Sequence, residues 1–278
     1  MTRTKGMAVL VVAVAVMACA GDAPGQQGAR TGDASAGVRT PLDTAPTIDT
    51  MAIAALKRMG MYLRTLTDFQ IEAEVTTEEV LRDGQKVQLE NAVQLLASRP
   101  NKLRVHLTSD RKERLFLYDG RSFMLSAPRQ KFYSTIDAPP KIVELAQLLE
   151  DRYAVDLPLV DLFRWGTSDV QIQAIRAAKD IGPATIDDIT CQHYAFRQDG
   201  IDWQVWIQRG AHPLPLKIVL TTLTDDARPQ HVARYSWNLA PSFNEAAFVM
   251  QPPNDFKKIA MAEVAAERNT KNPGGSNR

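Results

Sequence analysis

Cysteine is nearly absent from this chain: Cys19 and Cys191 are the only two. A disulfide framework needs an even set at close spacings, so the fold has to be held by burial rather than by cross-links. Cys191 then reads as an inert, buried strand thiol. The four histidines, His106, His193, His212 and His231, form no close ligand pair of the H-x-x-x-H kind. With one thiol in the body they cannot complete a cysteine–histidine zinc site, so no metal and no cofactor is expected. There is no G-x-S-x-G elbow, no P-loop and no G-x-G-x-x-G fingerprint. The pair Asp187-Asp188 offers two carboxylates, but neighbours on a strand face opposite ways, and a turn or solvated edge is the simpler reading. The expectation is therefore a protein that is not an enzyme.

A charge excess is missing as well. The formal net charge is +1, and loss of Arg3 and Lys5 with a leader would make it −1. Without a basic stripe, nucleic acid is excluded as a partner. No stretch reaches the roughly 20 apolar residues that span a bilayer.

What the N-terminus does have is a short apolar run, Met7 to Met17, behind Arg3 and Lys5 and ahead of Ala18-Cys19-Ala20-Gly21. That order is a secretory signal peptide, residues 1–19. Two readings of its end stay open. Val16-Met17-Ala18-Cys19 resembles a bacterial lipobox, in which Cys19 is lipidated, becomes the mature N-terminus and anchors the chain to a membrane. Ala18-Cys19-Ala20 is instead an A-x-A-like cut site that would release a soluble periplasmic protein. Residues 20–47 are rich in Gly, Ala, Pro, Ser, Thr and Gln and cannot bury enough surface to order themselves. As a flexible tether they reach roughly 30 Å. Ala20 after the cysteine, in place of Asp, points to the outer membrane. Residues 261–278 read as a polar, frayed tail.

Residues 48–260 suffice for one packed domain. Ala52, Ala55, Leu56, Met59, Leu63 and Leu66 recur at helical spacing, capped by Thr47 or Asp49. The period then changes to two. Phe69 to Val75 and Val87 to Leu95 alternate around Asp83-Gly84, the signature of a tight hairpin. Further short strands follow at Leu103–Leu107, Glu113–Tyr118, Arg121–Ser126 and Lys131–Ile136, separated by Arg99-Pro100-Asn101 and Asp119-Gly120. Pro140 opens a helix carrying Ile142, Leu145, Ala146, Leu149 and Tyr153. Leu157–Trp165 and Asp169–Lys179 extend that helical insertion, although Val170–Ile175 also fits a strand. Strands resume at Ala184–Thr190, Gln192–Arg197, Asp202–Gln208, Leu216–Leu223 and His231–Trp237. Ten or eleven strands in a meander curl to hide their edges. The expected fold is α+β but mainly β: a curved, half-closed antiparallel barrel with helices covering its concave side.

The segment Asp202-Trp203-Gln204-Val205-Trp206-Ile207, then Gly210 and Pro213-Leu214-Pro215-Leu216-Lys217-Ile218-Val219, is distinctive. With Trp237-Asn238-Leu239-Ala240-Pro241, Phe248, Pro252-Pro253, Tyr118-Asp119-Gly120 and Arg99-Pro100, it resembles the periplasmic family of domain of unknown function 2092, over about Thr47 to Ile259. That family is similar in fold to the lipoprotein carriers and outer-membrane lipoprotein receptors of the Lol pathway. The resemblance implies an open barrel of roughly eleven strands, a helical lid, and an apolar cavity for acyl chains or lipoproteins. It also implies an arginine that holds the lid closed, and no position of this sequence is matched to it.

The strand alternation nominates a cavity lining: Ile71, Val75, Leu89, Val93, Leu103, Val105, Leu115, Leu117, Phe123, Trp203, Val205, Leu216, Ile218, Tyr235 and Trp237. The lid candidates are Ile142, Leu145, Leu149, Leu162 and Phe163. The plain alternative is that these side chains and the helices fill one another as ordinary core. An unfilled space would bind an acyl chain through burial alone, at about 25 cal/mol per Å². The expected partners are a lipid or lipoprotein acyl chain and, through an N-terminal lipid anchor, a membrane; the expected state is a monomer in the bacterial cell envelope, on the periplasmic side.

Overall fold

The computed structural model describes residues 47–167, 170–249 and 251–264. The signal segment, Cys19, nearly all of the tether and the tail from residue 265 lie outside the described residues.

Helix α1, Thr50–Thr65, starts where the Asp49 carboxylate accepts a hydrogen bond from the Met51 N–H at 2.7 Å. That cap satisfies one of the free donors of the first turn. The predicted apolar stripe is its buried side: Ala52, Ala55, Leu56, Met59 and Leu63. The meander then runs through β1 (Asp68–Val80), β2 (Lys86–Ser98), β3 (Lys102–Thr108), β4 (Glu113–Tyr118), β5 (Ser122–Ala127) and β6 (Phe132–Asp137). Gly84 and Gly120 take positive φ in the turns where Asp-Gly places them. Helix α2 is Ile142–Tyr153, followed by one-turn helices α3 (Asp161–Arg164) and α4 (Val170–Gln173).

Here the chain departs from expectation. Strand β7 is Ala177–Ile186, so the helical reading of Asp169–Lys179 ends too late. The strand read as Ala184–Thr190 is in fact two, split at Asp187-Asp188, where β8 (Ile189–Gln198) begins. Both aspartates have positive φ, 47° and 62°, which a two-residue hairpin turn needs and which Asp tolerates better than most residues. Strands β9 (Ile201–Gln208), β10 (Pro215–Thr222) and β11 (Gln230–Asn238) follow as expected, and a two-residue β12 (Lys257–Lys258) adds a twelfth.

All twelve belong to one sheet in the order β12-β6-β5-β4-β3-β2-β1-β11-β10-β9-β8-β7. The first strand of one meander, β1, and the last of the other, β11, pair antiparallel over eight residues and join the halves. The sheet is curved and unclosed, with its helices on the concave side. Two apolar clusters fill that side. One sets α1, Trp165 and Ile175 against β7–β10; the other sets α2, α3 and Leu157 to Phe163 against β1–β5 and Ala233 of β11. Each edge is partly covered by a short parallel segment, β7 at Ala178 and β6 at Phe132 and Tyr133. The Asp49 N–H donates to the Ala178 carbonyl and the Ala178 N–H to that of Thr47 along β7, while β12 lies along β6. Paired edges do not recruit foreign strands. Among the described residues no helix is long and apolar enough to cross a membrane.

Candidate functional site: a groove on the concave face

Directly paired residues of an antiparallel sheet share a face. The register therefore sorts the predicted lining. Ile71 pairs with Leu95 and Trp237, Val75 with Ala233, Leu95 with Val105, and Val105 with Phe116. Ile71, Val75, Val93, Leu103, Val105 and Phe123 all belong to the first cluster, with Tyr235 and Trp237 packed against it. Trp203 and Val205 belong to the second, with Ile218 against it. The concave face thus gathers most of the expected lining.

Leu115, Leu117 and Leu216 are corrections. Leu115 pairs with His106 and Leu117 with Arg104, so both leucines point to the outer face, and Phe116 and Tyr118 take their place inside. The strand Glu-Arg-Leu-Phe-Leu-Tyr is apolar on both faces because its outer face is also covered. The segment around Glu245–Phe248 crosses there, the Arg104 guanidinium donating to the Ala247 carbonyl and Lys102 pairing with Glu245. Leu216 is the extra residue of a bulge between Pro215 and Lys217, buried but outside both clusters.

The lid residues Ile142, Leu145, Leu149, Leu162 and Phe163 are all buried in the first cluster. Phe163 meets Phe69 with ring centroids 5.7 Å apart, and two residues on Trp165 meets Trp203 at the same distance. The short α3 segment thereby ties one cluster to the other. An arginine that the sequence reading missed stands at this junction. The Arg99 guanidinium lies 4.8 Å from the Phe163 centroid and 5.9 Å from that of Phe69, and its buried Nε has no hydrogen-bond partner. Burial, with Arg64 nearby, holds its pKa below the usual value. The signal was available: counting by twos from Leu95 and Ala97 puts position 99 on the inner face.

Coverage of the groove fades along the strands. On β1 the inner residues Phe69, Ile71, Ala73 and Val75 are 1%, 0%, 4% and 8% exposed, and Thr77 beyond them is more exposed still. Strand β2 shows the same trend, with Leu95 sealed, Val93 nearly so, and Asn91 and Leu89 partly open. Leu107 on β3 and Leu125 on β5 are likewise half-buried inner residues, whereas β11 lacks the trend: Ala233, beside Val75, is sealed, and Tyr235 and Trp237 are half-buried. At this open end the few polar groups are the Thr77 hydroxyl, 2.9 Å from the His231 ring, Asn91, and Arg114, which bonds Gln130 at 3.1 Å. Burial lowers the His231 pKa and raises that of the Tyr235 phenol, the Asp161 carboxylate adding to the latter. The lid carries an ion cluster in which Arg164 holds Glu150 at 2.6 Å and Asp161 at 3.5 Å. Burial nevertheless raises the Asp161 carboxyl pKa, with Arg164 opposing.

A separate open pocket of about 480 Å³ lies between α2 and the β6 edge, lined by Ser122, Thr135, Asp137, Arg152, Tyr153 and Lys258 among others. None of the expected site residues lines it. Among the described residues no cluster of three or more His, Cys, Asp or Glu side chains is arranged to hold a metal. Cys191 is free and buried, and burial pushes its thiol up, away from reactivity.

Several solved structures show a loose similarity to this chain. LprF from Mycobacterium bovis is 13% identical, covering 77% of this chain and 100% of its own, with a TM-score of 0.42. The lipoprotein LppX from Mycobacterium tuberculosis is 10% identical, covering 70% and 100%, with a TM-score of 0.38. An uncharacterized conserved protein from Thermus thermophilus is 13% identical, covering 76% and 99%, with a TM-score of 0.44. At these scores the likeness is loose. No curated protein matches in sequence. The family model of the predicted periplasmic proteins DUF2092 does match, over residues 52–262, and the chain belongs to this family of the bacterial envelope.

Proposed function

We propose that this domain binds a hydrophobic ligand, an acyl chain of a lipid or lipoprotein, in the concave groove. The single observation that carries the proposal is the gradient of coverage on β1, β2, β3 and β5: one continuous apolar face is sealed at the Phe69 end and half-open at Leu89, Leu107 and Leu125. An apolar chain entering there would extend an existing core and gain about 25 cal/mol for each Å² it buries. Ligand grooves of this kind are mostly apolar with few polar groups, as here. No arrangement of nucleophile, base and oxyanion donors accompanies it among the described residues, so binding is a better account than catalysis. The chain would act at a membrane surface, held by a lipid on Cys19.

Uptake of cis-parinaric acid, a fluorescent fatty acid, tests this directly. Saturable enhancement is expected with the full chain, and Leu107→Gln with Leu125→Gln should abolish most of it, a cooperative urea transition at a lowered midpoint showing that the variant still folds. Absent or unsaturable uptake, or equal uptake by the variant, would sink the proposal. A second reading, an interaction protein whose core is simply filled, is favoured by the complete burial of the lid residues Leu145, Leu149 and Phe163. Mass spectrometry of the envelope-purified chain beside Cys19→Ser tests the anchor, a diacyl adduct on the wild type alone being the expected result.

A further inference from the structure

The side of α1 opposite its buried stripe is unusual in two respects. It carries Lys57, Arg58 and Arg64, and the helix contains no Asp or Glu. Lys57 and Arg58 form no ion pair among the described residues, while Arg64 donates to the Gly166 carbonyl. Among these cations stands Met61, 60% exposed; Met51 in the first turn is 62% exposed, and Ile48 just ahead of the helix is 51% exposed. What sets this face apart is cations of one sign placed beside apolar side chains on the same helix. The adjoining loop adds the same sign. The Tyr62 hydroxyl lies 2.5 Å from the ring of His212, three residues after Arg209 in that loop. The acids beside it are already engaged: Asp49 caps the helix, and Asp180 on β7 accepts from the Gly182 N–H and the Gln192 amide.

We propose that this face of α1 docks on an anionic phospholipid bilayer. Cations around flexible apolar side chains suit the headgroup region, where the charges meet lipid phosphates and the methionines enter the acyl boundary. Among the described residues α1 is the first element after Cys19, so a lipid there would keep this helix near the membrane. That proximity rests on the proposed anchor; the charge and exposure do not. One lipid chain gives only marginal membrane binding, and a basic patch is the usual second signal.

The test uses the full chain carrying Cys19→Ser, so that no anchor contributes, floated with vesicles of phosphatidylcholine alone or with added phosphatidylglycerol. Partition onto the anionic vesicles is expected, falling steeply with salt. Lys57→Gln with Arg58→Gln should lower it about 10- to 30-fold. Met51→Gln with Met61→Gln should lower it several-fold. These side chains are exposed, so the fold is retained, and unchanged cis-parinaric acid uptake checks that. Undiminished partition of the variants, or equal partition onto neutral vesicles, overturns the proposal. So does absence of partition onto either vesicle, which would leave the face to a protein partner. Lost fatty-acid uptake with partition intact would reject the groove and leave the docking face standing.

Discussion

Gly60 and Gly166 meet backbone to backbone, and the contact pins α1 to the turn behind α3. A Cβ on Gly166 would fall 2.6 Å from the Gly60 carbonyl carbon and oxygen, and one on Gly60 would fall 2.9 Å from the Gly166 nitrogen. Gly166 also needs its φ of +74°. An alanine at position 60 would ordinarily favour a helix interior by about 1 kcal/mol. Here its methyl group has only backbone to displace. Gly60→Ala is therefore expected to destabilise the domain by roughly 1–3 kcal/mol, read as a lower urea midpoint by tryptophan fluorescence. A raised midpoint would mean that α1 slides freely over the lid.

Arg99 presents the opposite case, a charge kept where an apolar group would fit. Its stacking on Phe163 and Phe69 returns about 0.5–2 kcal/mol, against the cost of a guanidinium with a buried, unpartnered Nε. Arg99→Met keeps the volume and removes that cost. The urea midpoint should rise, by the equivalent of about 1 kcal/mol, while fatty-acid uptake changes if the arginine governs how the lid seats. A clear fall in the midpoint would show that the ring contacts dominate.

The histidines give the stability a pH slope of predictable sign. Burial lowers the folded-state pKa of His231, and of His193 as well, below the ordinary 6.5. Below about pH 6.5 the unfolded imidazoles take up protons that the folded ones refuse, so these groups favour unfolding progressively as the pH falls. His231→Gln preserves a polar partner for Thr77 and removes one titrating site. Its midpoint should fall less than that of the wild type between neutral pH and the folded-state pKa, in parallel urea titrations. Identical slopes would mean that His231 titrates as freely as in the unfolded chain.

Much of this architecture is legible in the residues because strand period and turn chemistry are local. Asp83-Gly84, Asp119-Gly120 and Asp199-Gly200 each mark a turn that the chain makes. Asp187-Asp188 makes the turn that two adjacent aspartates suggest, but no glycine interrupts the alternation, so Ala184–Thr190 reads as one strand where the chain makes two. The face of β4 was illegible for another reason. Leu115 to Tyr118 offers an apolar residue at every position, and which pair turns inward depends on a segment more than a hundred residues later that covers the other side. Arg99 was missed because an arginine is expected at the surface, although its position in the alternation pointed inward. The lid residues emerged together since their helical spacing and burial follow from one apolar stripe.

The parallel cover along β7 has a consequence for where the folding unit begins. The family match starts at Ala52, yet the bridge from Thr47 and Asp49 to Ala178 and the cap on α1 both precede it. A fragment cut at the family boundary would strip the last strand of its neighbour and leave the Ala178 amide and carbonyl without partners, besides uncapping the first helix. The fold thus reaches back to Thr47, a few residues ahead of the family match, and those residues serve as a clasp on the edge of the sheet.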